Sequence, residues 1–308
     1  MNRVGSRFGA EVYWSDFRNS EILAAGSILE TRHREPYTGS VLGSGLRHGT
    51  RVPDFSRANV CFVRGHLTRE KLKVRCNTVG DPGILVSRLI PASPVRYKIG
   101  VIFHFNDSNR KSFEQSMTRD DLLIIDPEQD VTSVAPLVSS CARIVSSSLH
   151  GLILADSYGI PNRWLRMSGN AEPDFKYHDY FSSVNRTGDA AASFSLDELD
   201  QLLPGDIPYW KFVEQNMDDL EKELDAYFRN LPTRLPLIRK KQAGAKADGR
   251  FREWLLAKKL IRGDRTRTIY NTMIRVISAL IPGRHRRKDF RESHLVRQAN
   301  RERGDGCN

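Results

Sequence analysis

The sequence predicts an α/β protein with parallel sheets, arranged as two units and followed by a basic tail. Three observations predict it. Short, β-branched apolar runs alternate with longer segments of helical spacing. Several of those runs pass directly into Gly, Ser or Asp and then into a helical pattern, the tight strand-to-helix turn of a parallel sheet. A chain of 308 residues is also long enough to bury two ordinary cores.

The expected strands are 22–25, 40–42, 60–63, 98–104, 122–126, 143–146 and 163–167. The clearest strand-to-helix unit is IVSSS followed by LHGLILADSYG. Its helix has apolar residues at 149, 152, 153 and 155, and Gly159 and Pro161 end it. Pro91 and Pro94 break the chain between the two units, which gives a first domain 1–94 and a second 95–230. The stretch 210–228 sets Phe212, Val213, Met217, Leu220, Leu224 and Phe228 on one broad stripe, a closing helix docked on the body.

The net charge of +11 suggests a nucleic-acid partner until it is divided by region. Residues 231–308 hold 21 Lys+Arg against 7 Asp+Glu, a net of +14. The remaining 230 residues hold 27 against 30 and are near neutral. The body therefore carries no nucleic-acid footprint. The tail reads as a basic linker, two short amphipathic helices near 252–262 and 268–282, and a disordered end. No run of about 18 apolar residues exists, and the start lacks the apolar core of a secretory signal. The four cysteines form no CxxC pair, which points to a reduced cytosolic chain without a zinc site. Walker, HExxH, GxSxG and paired-carboxylate patterns are absent.

Candidate chemistry concentrates in a few turns. In Ser146-Ser147-Ser148-Leu149-His150-Gly151, hydroxyls and an imidazole stand between a buried strand and a helix start. The free N–H groups and positive end of such a helix attract phosphate or carboxylate. An imidazole there suits proton transfer at neutral pH. Equally, the serines cap the helix and His150 is structural. Arg64, at a strand end before Gly65, suits a planar anion, or is a surface arginine beside a capping turn. Gly43-Ser44-Gly45 permits close backbone approach to a ligand, or is a plain turn. Gly80-Asp81-Pro82-Gly83 is a turn first and a site contact second. In Lys176-Tyr177-His178-Asp179-Tyr180, Lys176 suits an anion and Asp179 a sugar hydroxyl, against a solvated loop.

Taken in order, GSIL (26–29), VLGSG (41–45), VRGHLTRE (63–70), GDPGIL (80–85), IGVIFH (99–104), the stretch from IDPEQDV to SSSLHGLILADSYGIP (125–161) and FKYHDY (175–180) resemble the polysaccharide pyruvyl transferase family of bacterial exopolysaccharide clusters. The resemblance implies two Rossmann-like halves facing a cleft, as in GT-B glycosyltransferases. It implies transfer of the carboxyvinyl unit of phosphoenolpyruvate onto a saccharide as a cyclic ketal, with no cofactor and no metal. His150 and Arg64 become the catalytic candidates. Ser147, Ser148, Gly151, Gly43, Ser44, Gly45, Lys176 and Asp179 become the substrate-binding ones. The implied acceptor is lipid-linked, which gives the basic tail an anionic inner-membrane surface to lie on. The chain departs from the family pattern at three points. Ser148 stands where many members carry Arg, His66 stands where Pro is usual, and no Asn-x-Gly-Asp loop precedes Glu21, so the first half is expected to be incomplete. The alternatives are a GT-B nucleotide-sugar glycosyltransferase and a non-catalytic member that binds polysaccharide or membrane.

Overall fold

The computed structural model describes residues 20–30, 36–105, 107, 119–166, 173–187, 192–193 and 206–230. The expected features of the N-terminal start and of the tail 231–308 lie outside the described residues.

Two parallel sheets form. The first has the order β1 (Ile22–Ala24), β2 (Ser40–Leu42), β3 (Asn59–Val63), β4 (Thr78–Val79). Every pair in it is parallel. The second sheet is built from β5 (Tyr97–Ile102), β6 (Leu122–Ile124), β7 (Cys141–Ser146), β8 (Asn162–Arg166) and β9 (Ala192–Ser193). Its order is β6-β5-β7-β8-β9, again wholly parallel. In that order the connections leave β5 in one direction and β7 in the other. The carboxyl ends of β5 and β7 are therefore the topological switch point, where open α/β sheets bind ligands.

The helices are α1 (His66–Leu72), α2 (Val131–Ser139), α3 (Leu149–Ser157), α4 (Phe175–Ser183) and α5 (Trp210–Arg229). Residues Pro82–Arg88 form a 3₁₀ helix, started by Asp81, whose carboxylate accepts from the Gly83 N–H at 2.9 Å. The GDPG segment is thus the start of a buried helix. The strand β5 is buried from Ile99 to Ile102, as a central parallel strand must be. Helix α3 is apolar on nearly every side and is buried accordingly.

The expected closing helix is α5, and it closes on the first sheet. Asn216 Nδ2 donates to the Val79 carbonyl at 2.6 Å. Val213, Met217, Leu220, Leu224 and Phe228 share one core with Leu42 and Phe62 of the first sheet and Leu149, Leu152 and Ile153 of α3. A single core thus runs from one sheet to the other, and burying that much apolar side chain holds the two units together.

Helix α4 makes the other bridge. Its Asp179 lies against the turn Arg64–Gly65, and a Cβ built on Gly65 would come within 1.7 Å of the Asp179 carbonyl oxygen. Gly65→Ala must therefore push α4 off the first sheet. The expected cost is about 1–3 kcal/mol, visible as a lowered midpoint of thermal unfolding; an unchanged midpoint would show that α4 is not held by this contact.

Candidate active site

The turn after β7 is tied into the fold by a dense set of hydrogen bonds. Ser147 is fixed three ways. Its hydroxyl donates to Asp107 Oδ2 at 2.5 Å and accepts from the His104 N–H at 2.9 Å, and its carbonyl accepts from Tyr177 Oη at 2.6 Å. The His104 N–H also reaches Asp107 Oδ2, at 2.9 Å. The loops after β5 and β7 are therefore tied together across the switch point, and α4 is pinned on top of them.

Ser148 is the N-cap of α3 in an extended conformation, and its side chain makes no capping bond. Among the described residues the first N–H groups of α3 thus lack a capping side chain, and the positive end of the helix dipole is directed at the same place. Gly151, in the first turn, lies where a Cβ would come within 2.3 Å of Ser146 Oγ, so its part here is close packing of α3 on β7.

His150 is the second residue of that helix. Its Nε2 is buried and has no hydrogen-bond partner among the described residues. Burial pulls its imidazole below the ordinary value. The Asp81 carboxylate opposes that shift, and the Lys176 and Arg64 cations add to it. These four side chains consequently occupy one electrostatic neighbourhood, drawn from the ends of β3, β4 and β7 and from α4.

Lys176 and His104 lie beside the same turn. They are 5 % and 7 % exposed. Lys176 Nζ is 3.4 Å from His104 Nε2 and 5.1 Å from the centre of the Tyr177 ring.

Arg64 and Asp179, in contrast, are engaged with each other. Both are 0 % exposed. Arg64 Nε and Nη2 both reach Asp179 Oδ2 at 2.9 Å. Nη2 also donates to the Leu46 carbonyl at 2.5 Å, and Nη1 to Ser27 Oγ at 2.6 Å. Asp179 in addition accepts from the Thr68 N–H and Oγ1, each at 2.7 Å. The arginine thus reaches His150 through its field, and the aspartate spends its oxygens on the first unit. The Gly-Ser-Gly element supports this pair. A Cβ on Gly45 would meet the Arg64 guanidinium at 2.4 Å, and one on Gly43, which has φ +97°, would meet Pro82 at 2.3 Å. Ser44 Oγ donates to the Ala24 carbonyl at 2.7 Å. These contacts are packing contacts of the kind close glycine approach permits.

Of the predicted residues, the structure brings together Ser147, Ser148, Gly151, His150 and Lys176 at the switch point. Gly43, Ser44, Gly45, Arg64 and Asp179 form the adjoining buried ion pair and its supports. Sequence reasoning missed His104 and Asp107, and it weighted Asp81 too lightly. The signal for His104 was its place directly after a fully buried strand. Two surface grooves, of about 380 and 610 Å³, lie elsewhere, the first at Asn59, Cys61 and Tyr227 and the second at Arg88, Tyr158 and Trp210. Among the described residues no group of three His, Cys, Asp or Glu side chains is arranged to hold a metal, and no helix is long and apolar enough to cross a membrane.

Residues 54–169 match the model of the polysaccharide pyruvyl transferase family, the family that the motifs resemble. The chain is 35 % identical over 178 residues to uncharacterized protein L143 of Acanthamoeba polyphaga mimivirus, across 53 % of this chain and 60 % of that protein. It is 29 % identical over 154 residues to the succinoglycan biosynthesis protein ExoV of Rhizobium meliloti (strain 1021), across 48 % of each. The chain thus spans about half to three-fifths of the length of these curated relatives.

Proposed function

We propose, from the family match over residues 54–169 and the anion-ready turn it contains, that the chain transfers the pyruvyl unit of phosphoenolpyruvate to a sugar of an exopolysaccharide precursor. The observation that carries the reading is the orphaned, buried His150 Nε2 beside an uncapped helix N-terminus. A phosphate ester is the ligand such a site fits, because backbone N–H groups and the helix dipole stabilise its charge without a metal ligand set. The name of the succinoglycan relative points the same way. The two sheets, with α5 returning to the first, support a GT-B-like arrangement in which donor and acceptor meet between the units.

The chemistry closes on the residues present. One sugar hydroxyl adds to C2 of the enol phosphate as C3 takes a proton. A second hydroxyl then displaces the phosphate, which leaves with a proton, and the product is a cyclic ketal. His150 is neutral in the empty site because its burial disfavours charge. A bound anionic donor raises its proton affinity, so the imidazole takes the proton of the first hydroxyl as one is delivered to C3, and then takes the proton of the second hydroxyl and passes it to the departing phosphate. Ser148 leaves the helix N–H groups open to the donor. Arg64 and Asp179 hold the two units in register, and Arg64 adds positive potential from behind.

Phosphate release from phosphoenolpyruvate in the presence of a reduced-length succinoglycan-type oligosaccharide tests the reading. Release that depends on the saccharide supports it. Thermal stabilisation by UDP-sugars, without any by phosphoenolpyruvate, overturns it in favour of a glycosyltransferase. We assign the basic stretch 231–308 to an anionic inner-membrane surface on the cytoplasmic side, where a lipid-linked acceptor would lie. Removing residues 232–308 should therefore abolish binding to phosphatidylglycerol vesicles while phosphate release with a soluble acceptor persists; retained vesicle binding would refute that assignment.

A further inference from the structure

The larger surface groove, of about 610 Å³, lies where α5 faces the end of α3 and the linker between the units. Its volume is in the range of small-molecule sites, and such sites favour the boundary between domains. Trp210, Glu214, Met217 and Asp218 line it from α5. Their spacing of i, i+4, i+7 and i+8 puts them on one helix face. The other walls are held in place. Tyr158 Oη donates to the Ile90 carbonyl at 2.9 Å, and the Ser87 N–H donates to Ser157 Oγ at 2.9 Å. Arg88 forks between Asp218, at 2.5 Å, and Glu221. The Trp210 ring lies against Gly159, where an added Cβ would sit 3.3 Å from it. Polar groups are nevertheless left over. Among the described residues the Trp210 indole N–H, the Glu214 carboxylate and the Ser87 hydroxyl have no hydrogen-bond or ion-pair partner.

We propose that this groove holds a sugar residue of the saccharide acceptor, away from the sugar that reacts. The occupant follows from the lining. The Trp210 indole and the Tyr158 ring offer apolar surface to the C–H face of a pyranose. A hydroxyl both donates and accepts, so sugar hydroxyls satisfy the free carboxylate and the free indole N–H together. An anion does not fit, because Glu214 and Asp218 repel it and Arg88 is already spent on two carboxylates. The matched family, polysaccharide pyruvyl transferase, supplies a ligand of the required chemistry. The inference rests on the saccharide half of the proposed function and is independent of the donor. The groove and the donor turn lie at opposite ends of α3, whose nine residues rise about 13 Å. The groove is therefore a second holding point. A glycan tethered there raises the local concentration of acceptor sugar at the switch point.

The test is calorimetric titration of the full chain with a short and a long neutral succinoglycan-type oligosaccharide, in the absence of phosphoenolpyruvate. Glu214 is exposed and without a partner among the described residues, so Glu214→Ala should fold as the wild type does. It should bind the long oligosaccharide about threefold to tenfold more weakly, the net worth of one hydrogen bond. Trp210→Ala should lose at least as much. In the phosphate-release assay both variants should raise KM for the long acceptor by the same factor. They should leave kcat, and KM for the short acceptor, unchanged. Wild-type affinity for the long oligosaccharide in both variants would overturn the proposal, as would an equal rise in KM for short and long acceptors. If Trp210→Ala does not fold, Glu214→Ala decides alone. Normal phosphate release by a wild type whose groove variants bind as it does defeats this proposal and leaves the reaction standing. Groove-dependent binding without phosphate release does the reverse.

Discussion

Replacing Asp179 by Ala is expected to lower the unfolding free energy by about 3–5 kcal/mol, the cost of leaving one member of a buried ion pair without the other. The expectation follows from where the carboxylate stands. Asp179 and Arg64 are both fully inaccessible, and Asp179 accepts from the guanidinium and from two groups of Thr68. Without it, the guanidinium stays buried with the Ser27 hydroxyl and the Leu46 carbonyl as its remaining hydrogen-bond acceptors among the described residues. Thr68 loses the acceptor of its N–H at the same time. The effect is larger than a surface pair would give, because neither charge can turn to water. Arg64→Met should be comparably damaging. The double replacement Arg64→Met/Asp179→Ala should cost clearly less than the sum of the singles, since no orphan charge remains. Urea unfolding of the four proteins checks this. A single-variant loss below about 1 kcal/mol, or strict additivity in the double variant, would mean that the pair is not the clasp between α4 and the first unit.

This pair also shows what in the sequence was legible and what was not. The strand-to-helix turns were legible because continuous apolar runs ending in Gly or Ser have few other uses. The runs at 40–42 and 60–63 became β2 and β3, and the IVSSS–LHG unit became β7 and α3, with shifts of one or two residues. Helix α2 was not legible, because Pro136 sits inside it and a proline ordinarily argues against a helix interior. The two-residue strands β4 and β9 are too short to show any periodicity. Helix α4 was not legible as a helix, for a chemical reason. Lys176, Tyr177, Asp179 and Tyr180 look like a solvated loop by composition, yet all four are buried in the structure. Their spacing of three and four was the available signal. It was masked because the buried face of α4 mixes aromatics of the core with Lys176 and Asp179, and Asp179 faces another polar surface, Arg64 and Thr68, which hydropathy cannot recognise. For the same reason the Gly-Ser-Gly turn suggested a ligand where the neighbour is the Arg64 guanidinium. Both are demands for close backbone approach, and sequence alone cannot tell whose atoms approach.

His150→Ala should reduce phosphate release from phosphoenolpyruvate by about 10²–10⁴-fold, the usual contribution of a positioned acid or base. The same substitution has a second, independent signature in stability. Burial, augmented by Lys176 and Arg64 and opposed by Asp81, holds the folded imidazole below its ordinary value of 6.5. The unfolded chain therefore binds this proton at a higher pH than the folded chain does. Above 6.5 both states are neutral at this residue and nothing is lost. As pH falls through 6.5 the unfolded state takes up the proton first, and stability declines by up to about 1.4 kcal/mol per pH unit until the folded imidazole titrates as well. His150→Asn removes the titrating group, so the difference in unfolding free energy between wild type and variant should shrink as pH is lowered from 7 toward 5. Inorganic phosphate should act in the opposite direction. A bound anion favours the charged imidazole, and it binds only the folded state, so it should stabilise the wild type more at pH 6 than at pH 8. A wild type and a His150→Asn protein with parallel stability–pH curves would place His150 Nε2 in contact with solvent. Its role as the buried proton carrier of the site would then be lost, whatever happened to turnover.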